Sequence, residues 1–245
     1  MSNTTLQQVA PTPTPDATRE VRSAALVAGA AIMLVAALAG FGNLVAIQGL
    51  VTPGDAAATA DDILGSERMF RLGLASLYVA AVLDVVVAWA LLGVLRPVNT
   101  ELARLSAWLR LSYAAVFTVS LSQLAGIPDL LGDATSATMY TKGQVQAQAM
   151  TKVDTFHDIW FAGLILFGAH LVVAGYLAYR SGYVPRLIGV LLVVAGVGYA
   201  ADSFVAVFTQ DAFAVSTVTF LGEFLLGLWL LVRGRRISLT PTAAG

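Results

Sequence analysis

Three ionisable side chains stand inside otherwise apolar runs of this sequence: Asp84 in LDVVVAWALLGVLR, His170 in FGAHLVVAG and Glu223 in GEFLLGLWLLVR. Two carboxyls and an imidazole can share and pass a proton, or join helices by hydrogen bonds. They can also furnish an open three-ligand metal site with water in the fourth position. Each of the three is followed by an arginine that serves as a ruler. Asp84 lies 12 residues before Arg96, His170 lies 10 before Arg180, and Glu223 lies 10 before Arg233. At about 1.5 Å per helical residue this is roughly 15 to 18 Å, near half of a hydrocarbon core about 30 Å thick. The spacing therefore predicts one polar layer, supplied by three helices, at the middle of a membrane. A charge at that depth costs about 2.5 to 3.5 kcal/mol even on the gentler insertion scale, so the three groups should face inward and share protons.

Asp202 extends this layer. It stands 16 residues after Arg186, roughly 24 Å up, and His157 with Asp158 stands at the outer start of the histidine-bearing helix. The three are expected to form an outer pathway toward Asp84, His170 and Glu223. His157 and His170 are 13 residues apart, about 20 Å along one helix, so the two cannot bind one ion. No metal is expected; if one binds, Asp84, His170 and Glu223 are its ligands.

The elements that position these residues follow from composition. The chain of 245 residues is 58% hydrophobic and 12% charged, and its mean hydropathy is +0.78. A soluble domain carries roughly 25% charged residues. Six apolar runs are near or above the length that crosses a bilayer: Ser23 to Val45, Met69 to Leu95, Ala107 to Leu124, Ile159 to Tyr179, Leu187 to Val207 and Ala212 to Val232. The expected fold is an all-α polytopic bundle of six transmembrane helices.

Basic residues orient it. Arg19, Arg22, Arg96, Arg104, Arg110, Arg180, Arg186, Arg233, Arg235 and Arg236 fall on one side by this count, and Arg68, Arg71, Lys142 and Lys152 on the other. The excess of positive charge marks the cytoplasmic face, so both termini are expected there. Residues 1–21, with PTPTP, read as a disordered cytoplasmic tail, 22–236 as the transmembrane domain and 237–245 as a short cytoplasmic tail. Outside, Asp55 is a candidate N-cap of a short interfacial helix, and the polar stretch from Asp129 to Asp154 holds a helical turn at QVQAQAM.

Several function classes drop out. The net charge of -1 gives no basic field for nucleic acid, and GxGxxG, GxxxxGK[ST], HExxH and GxSxG are absent. Without cysteine there is no thiolate chemistry. Ser76, Ser120 and Ser203 lie in spans, where hydroxyls bond their own backbone. The tryptophans read as interface or lipid-facing aromatics. Three readings of the polar layer stay open: a structural hydrogen-bond network, a proton, ion or small-molecule pathway, and a metal-dependent intramembrane hydrolase acting on a lipid or lipid-like substrate. No cofactor is expected. The partners expected are the lipid bilayer and a second copy or another membrane protein.

PGDAAATADDI, LDVVVAWALLGVLRPVN, the long stretch from FGAHLVVAG to ADSF and GEFLLGLWLLVRGRR resemble the bacterial multi-pass membrane proteins catalogued as domain of unknown function 4386. The resemblance covers about Arg22 to Arg236, and RSGYVPR is its most specific piece. It implies a helical integral membrane protein of the bacterial envelope, with polar positions matching Asp84, His170, Asp202 and Glu223. It brings no catalytic residues to carry over.

Overall fold

Long runs of Ala, Val and Leu with few breakers can satisfy their backbone groups only within the segment, and the computed structural model is accordingly helical. It describes residues 15–133, 139–208 and 221–239. The first helix, α1 (Pro15–Ala39), continues through a π-helical stretch, Gly40–Ile47, and a 3-10 turn, Gln48–Leu50. It begins ahead of the Arg22 boundary expected for the transmembrane domain, and Val21 is already buried. The remaining helices are α2 (Ala56–Gly65), α3 (Glu67–Leu95), α4 (Thr100–Ala125), α5 (Ile127–Gly132), α6 (Lys142–Arg180), α7 (Arg186–Phe208) and α8 (Leu221–Arg233). A 3-10 turn, Gly234–Arg236, follows, and Ile237 is buried, so the C-terminal segment starts as a packed element and not as a free tail.

Five helices among the described residues are long and apolar enough to cross a membrane: Asp16–Leu50, Glu67–Leu95, Thr100–Gly132, Lys142–Arg180 and Arg186–Val205. The sixth expected span, Ala212 to Val232, lies partly outside the described residues, and its inner part is α8. The long helices pack as sequential neighbours, α1 on α3, α3 on α4, α4 on α6, α6 on α7, α7 on α8, and α8 closes on α1. The result is a ring of six helices with a common interior. Its outer face is apolar: Val82 and Trp89 are each 66% exposed, and Leu187, Val194 and Val197 are also bare. Exposed apolar surface this continuous is what a lipid-facing wall requires.

The basic end of the ring is held together by contacts across the sequence. Arg96 pairs with Glu20, and Arg22 Nε donates to the Ile237 carbonyl at 2.7 Å, so the chain returns to the end where it began. Tyr183, in the turn between α6 and α7, donates its hydroxyl to the Val94 carbonyl at 2.5 Å. Burial pushes the Tyr183 phenol well above its ordinary value. A phenol held protonated in the folded state contributes stability below its unfolded pKa of about 10 and loses it as pH rises beyond that. The expected result is that Tyr183→Phe lowers thermal stability at neutral pH by about 1 kcal/mol and flattens the alkaline loss seen in the parent protein. Melting curves at neutral and alkaline pH check this.

At the opposite end, Asp55 caps α2 by accepting from Ala57 N at 3.1 Å and Ala58 N at 2.9 Å, as its position suggested. Arg71 joins Asp129 at 2.9 Å and Lys142 approaches Asp61 at 3.4 Å. The QVQAQAM stretch is helical as expected, and the helix extends well beyond one turn. The stretch is the first part of α6, which runs unbroken for 39 residues from a Thr141–Gln144 capping box. The π-helical stretch coincides with a close approach of two helices. Where α1 meets α3, a Cβ on Gly42 would lie 2.4 Å from Ser76 Oγ, and one on Gly73 would lie 2.2 Å from Ala46 Cβ. Ser76 Oγ donates to the Gly73 carbonyl and approaches the Leu38 carbonyl at 3.2 Å, just before the helix widens.

Candidate polar network inside the ring

Arg110 on α4 is the centre of the site, and its position corrects the count that put it with the basic residues at the ring's end. Its side chain is 1% exposed. Arginine cannot shed its charge in a protein, so such a group persists only if its fork of N–H donors is answered. Three helices answer it. Asp84 Oδ1 on α3 accepts from Arg110 Nε at 3.0 Å and again from Nη2. Glu223 Oε1 on α8 accepts from Nη1. His170 Nε2 on α6 lies 3.2 Å from the same Nη1. The Phe167 ring, 5.3 Å from the guanidinium carbon, covers one face.

The histidine tautomer follows from these partners. Guanidinium nitrogen can only donate, so Nε2 accepts and the ring proton sits on Nδ1. Nδ1 lies 2.9 Å from the Ser106 carbonyl, to which it donates, and 2.9 Å from Ser106 Oγ. Ser106 lies one helical turn before Arg110 on α4, so one helix orients the imidazole and places the cation against it.

Asp84, His170 and Glu223 are thus brought together, and through Arg110 rather than directly. Asp84, Arg110 and His170 are fully enclosed, while the Glu223 side chain keeps 16% exposure. The outer residues do not reach this cluster. His157 lies within 3.0 Å of its own helix's Val153 carbonyl through Nδ1, and Asp158 is exposed. Asp202 is buried beside Ser203, whose hydroxyl donates to the Phe161 carbonyl at 2.8 Å. That contact sets Asp202 nine residues, about 14 Å, from the level of His170. Aromatic rings fill part of the interval: Tyr113 and Phe167 are 4.7 Å apart, and Phe167 meets Tyr199 edge-on at 5.3 Å. Trp160 belongs to this packing, donating to the Tyr113 hydroxyl at 3.1 Å, whereas Trp89 and Trp108 face outward as expected.

The serine hydroxyls behave as read. Ser76 and Ser120 donate to backbone carbonyls of their own helices at 2.7 Å each, and Ser203 Oγ, besides its contact with Phe161, lies 2.9 Å from the Tyr199 carbonyl of its own helix. The donor set does not fit a bound metal. Asp84 Oδ1, Glu223 Oε1 and His170 Nε2 all converge on a guanidinium, which would repel a second cation at the same point. Among the described residues no group of three or more His, Cys, Asp or Glu side chains could hold a metal ion.

The profile of the family described as Domain of unknown function (DUF4386) matches residues 27–234. An uncharacterized protein of Archaeoglobus fulgidus is 33% identical over 165 residues, which is 67% of this chain and 85% of the relative. No solved structure matches.

Proposed function

This chain belongs to the DUF4386 family, and we propose that it is a six-span membrane protein, cytoplasmic at both ends, whose Arg110 network is a proton-binding station in the bundle's interior. The observation that carries the reading is the charge balance of the network. Two carboxyls and one guanidinium meet around a neutral imidazole, leaving one negative charge in excess when both carboxyls are ionised. In a low-dielectric interior that excess is expensive, and uptake of one proton by the network removes it. Glu223 is the one partly exposed member, so the surroundings reach the network on its side. Proton uptake and release there would loosen or tighten the joint between α8 and the rest of the ring, which is what a small proton-coupled transporter or sensor needs.

A second reading has its own support. All four side chains are engaged, and they lie where α3, α4, α6 and α8 meet, which suits a clamp that sets helix register and does nothing else. Proteoliposomes containing a pH-sensitive dye separate the two. For a proton station, the parent protein moves protons across the membrane, and Asp84→Asn or Glu223→Gln abolishes the movement while the protein still folds. Flux that survives both substitutions would sink this reading. Lower melting temperatures in both variants, with no flux in the parent, would favour the clamp.

A further inference from the structure

We propose that the groove between α1, the end of α3 and the start of α4 binds the phosphate-bearing headgroup of an anionic membrane lipid. It encloses about 560 Å³. Arg96, Thr100 and Arg104 line one end, and Val27, Trp89 and Leu92 line the other. The floor is set by close contact of α1 with α3, where a Cβ on Gly93 would lie 2.9 Å from Ala24 Cβ.

The order of polarity matches the ligand. Trp89 precedes Arg96 by seven residues, about 10 Å along α3, so the groove passes from a guanidinium to an indole over the distance that separates a lipid phosphate from its upper acyl chain. Trp89 is 66% exposed, so its ring is bare to an acyl chain lying in the groove. Two guanidinium forks within one groove give planar, bidentate recognition of a phosphate, which a zwitterionic lipid answers less well because its own ammonium opposes them.

Both arginines already have carboxylate partners, Arg96 with Glu20 and Arg104 with Glu101 at 2.8 Å. All four of these side chains are half-exposed or more. Exposed pairs of this kind are weak and exchange readily, so a phosphate can displace the carboxylates. Glu20 lines the groove and would swing aside, while Glu101 would keep its place on the solvent side. The proposal requires that the chain lie in a bilayer, which its apolar outer wall supports, and is independent of the proton station.

Trp89 supplies its own probe. The protein is reconstituted into phosphatidylcholine vesicles containing a fraction of lipid with brominated acyl chains, either phosphatidylglycerol or phosphatidylcholine. The part of the fluorescence quenching lost in Trp89→Phe is then measured. Brominated phosphatidylglycerol is expected to quench Trp89 at about fivefold lower fraction than brominated phosphatidylcholine, and the double substitution Arg96→Gln and Arg104→Gln is expected to remove the difference. Equal quenching by the two lipids in the parent protein overturns the proposal. So does an equal loss of preference in Arg235→Gln, which would mean a diffuse basic surface. Abolition of the preference by inorganic phosphate alone would overturn the lipid assignment in favour of a free anion.

Discussion

Arg110→Leu is expected to be among the most damaging single substitutions in the protein, lowering stability by about 3 to 5 kcal/mol. Three costs arrive together. Asp84 Oδ1 and Glu223 Oε1 lose their donors inside the ring, His170 Nε2 is left facing a side chain that cannot donate, and the two carboxyls meet without a cation between them. The first two are desolvation penalties for buried groups left unanswered, and the third is repulsion in a poor dielectric. Arg110→Lys keeps the charge but replaces a planar fork by a single ammonium. A lysine at this position cannot span acceptors presented by three helices in the same geometry, so it should recover part of the loss and no more.

The partner substitutions make the argument specific. With Asp84→Asn and Glu223→Gln added to Arg110→Leu, no buried charge remains unpaired. Stability is then expected to return toward the parent value, since replacing a buried ionic cluster entirely is often neutral. Thermal unfolding in a mild detergent checks all four proteins. An Arg110→Leu protein that melts within about 1 kcal/mol of the parent would mean that the carboxyls have other partners, and the network would lose its claim to organise the ring.

Much of this network was legible in the sequence because charges are rare in apolar runs. Asp84, His170 and Glu223 announce themselves, and the arginines after them give depth. Arg110 is harder to see, because the third apolar run starts at Ala107 and an arginine so near its edge reads as a flank. Its depth was nonetheless available. Asn99 caps α4 by accepting from Leu102 N at 2.9 Å, and Arg110 stands 10 residues after Thr100, the same spacing that placed His170 and Glu223 in the layer. Measured from the cap and not from the edge of the apolar run, Arg110 belongs with them.

Other features had weaker signals. The early start of α6 was written in Thr141-x-x-Gln144, a capping box that the polar character of the following residues obscured. The facing of Asp202, His157 and Asp158 had no signal at all, because a single apolar helix does not reveal which side meets its neighbours when both lipid and protein interior are apolar. The closure of α8 on α1 is likewise a matter of shape. Gly29 stands where a Cβ would be 2.6 Å from Leu231 N, and that fit becomes visible only when both helices are in place.

The same kind of fit gives the second large expected effect. Gly168 and Gly175 on α6 face Gly196 and Gly189 on α7, each pair of glycines seven residues apart and so two turns along its helix. A Cβ on Gly175 would lie 2.7 Å from the Gly189 carbonyl oxygen and 2.8 Å from Val193 N, and one on Gly196 would lie 2.5 Å from the Gly168 oxygen. These neighbours are backbone atoms of the opposing helix. They cannot rotate away, so a side chain at any of the four positions must push the helices apart along their whole contact.

Gly175→Leu and Gly196→Leu are therefore each expected to destabilise by at least about 1 to 3 kcal/mol, the usual range for overpacking, and the double substitution by more than either. His170 lies between Gly168 and Gly175 on α6, so a shift of that helix also changes the approach of its Nε2 to Arg110 and links this packing to the network. Gly143→Ala is the control on the same helix. A Cβ there meets nothing within 4 Å, and alanine in place of glycine should stabilise the first turn of α6 by up to about 1 kcal/mol. Opposite signs at Gly175 and Gly143 in one set of melting curves would locate the effect in the α6–α7 contact. A loss at both would point instead to the helix itself and refute the packing argument.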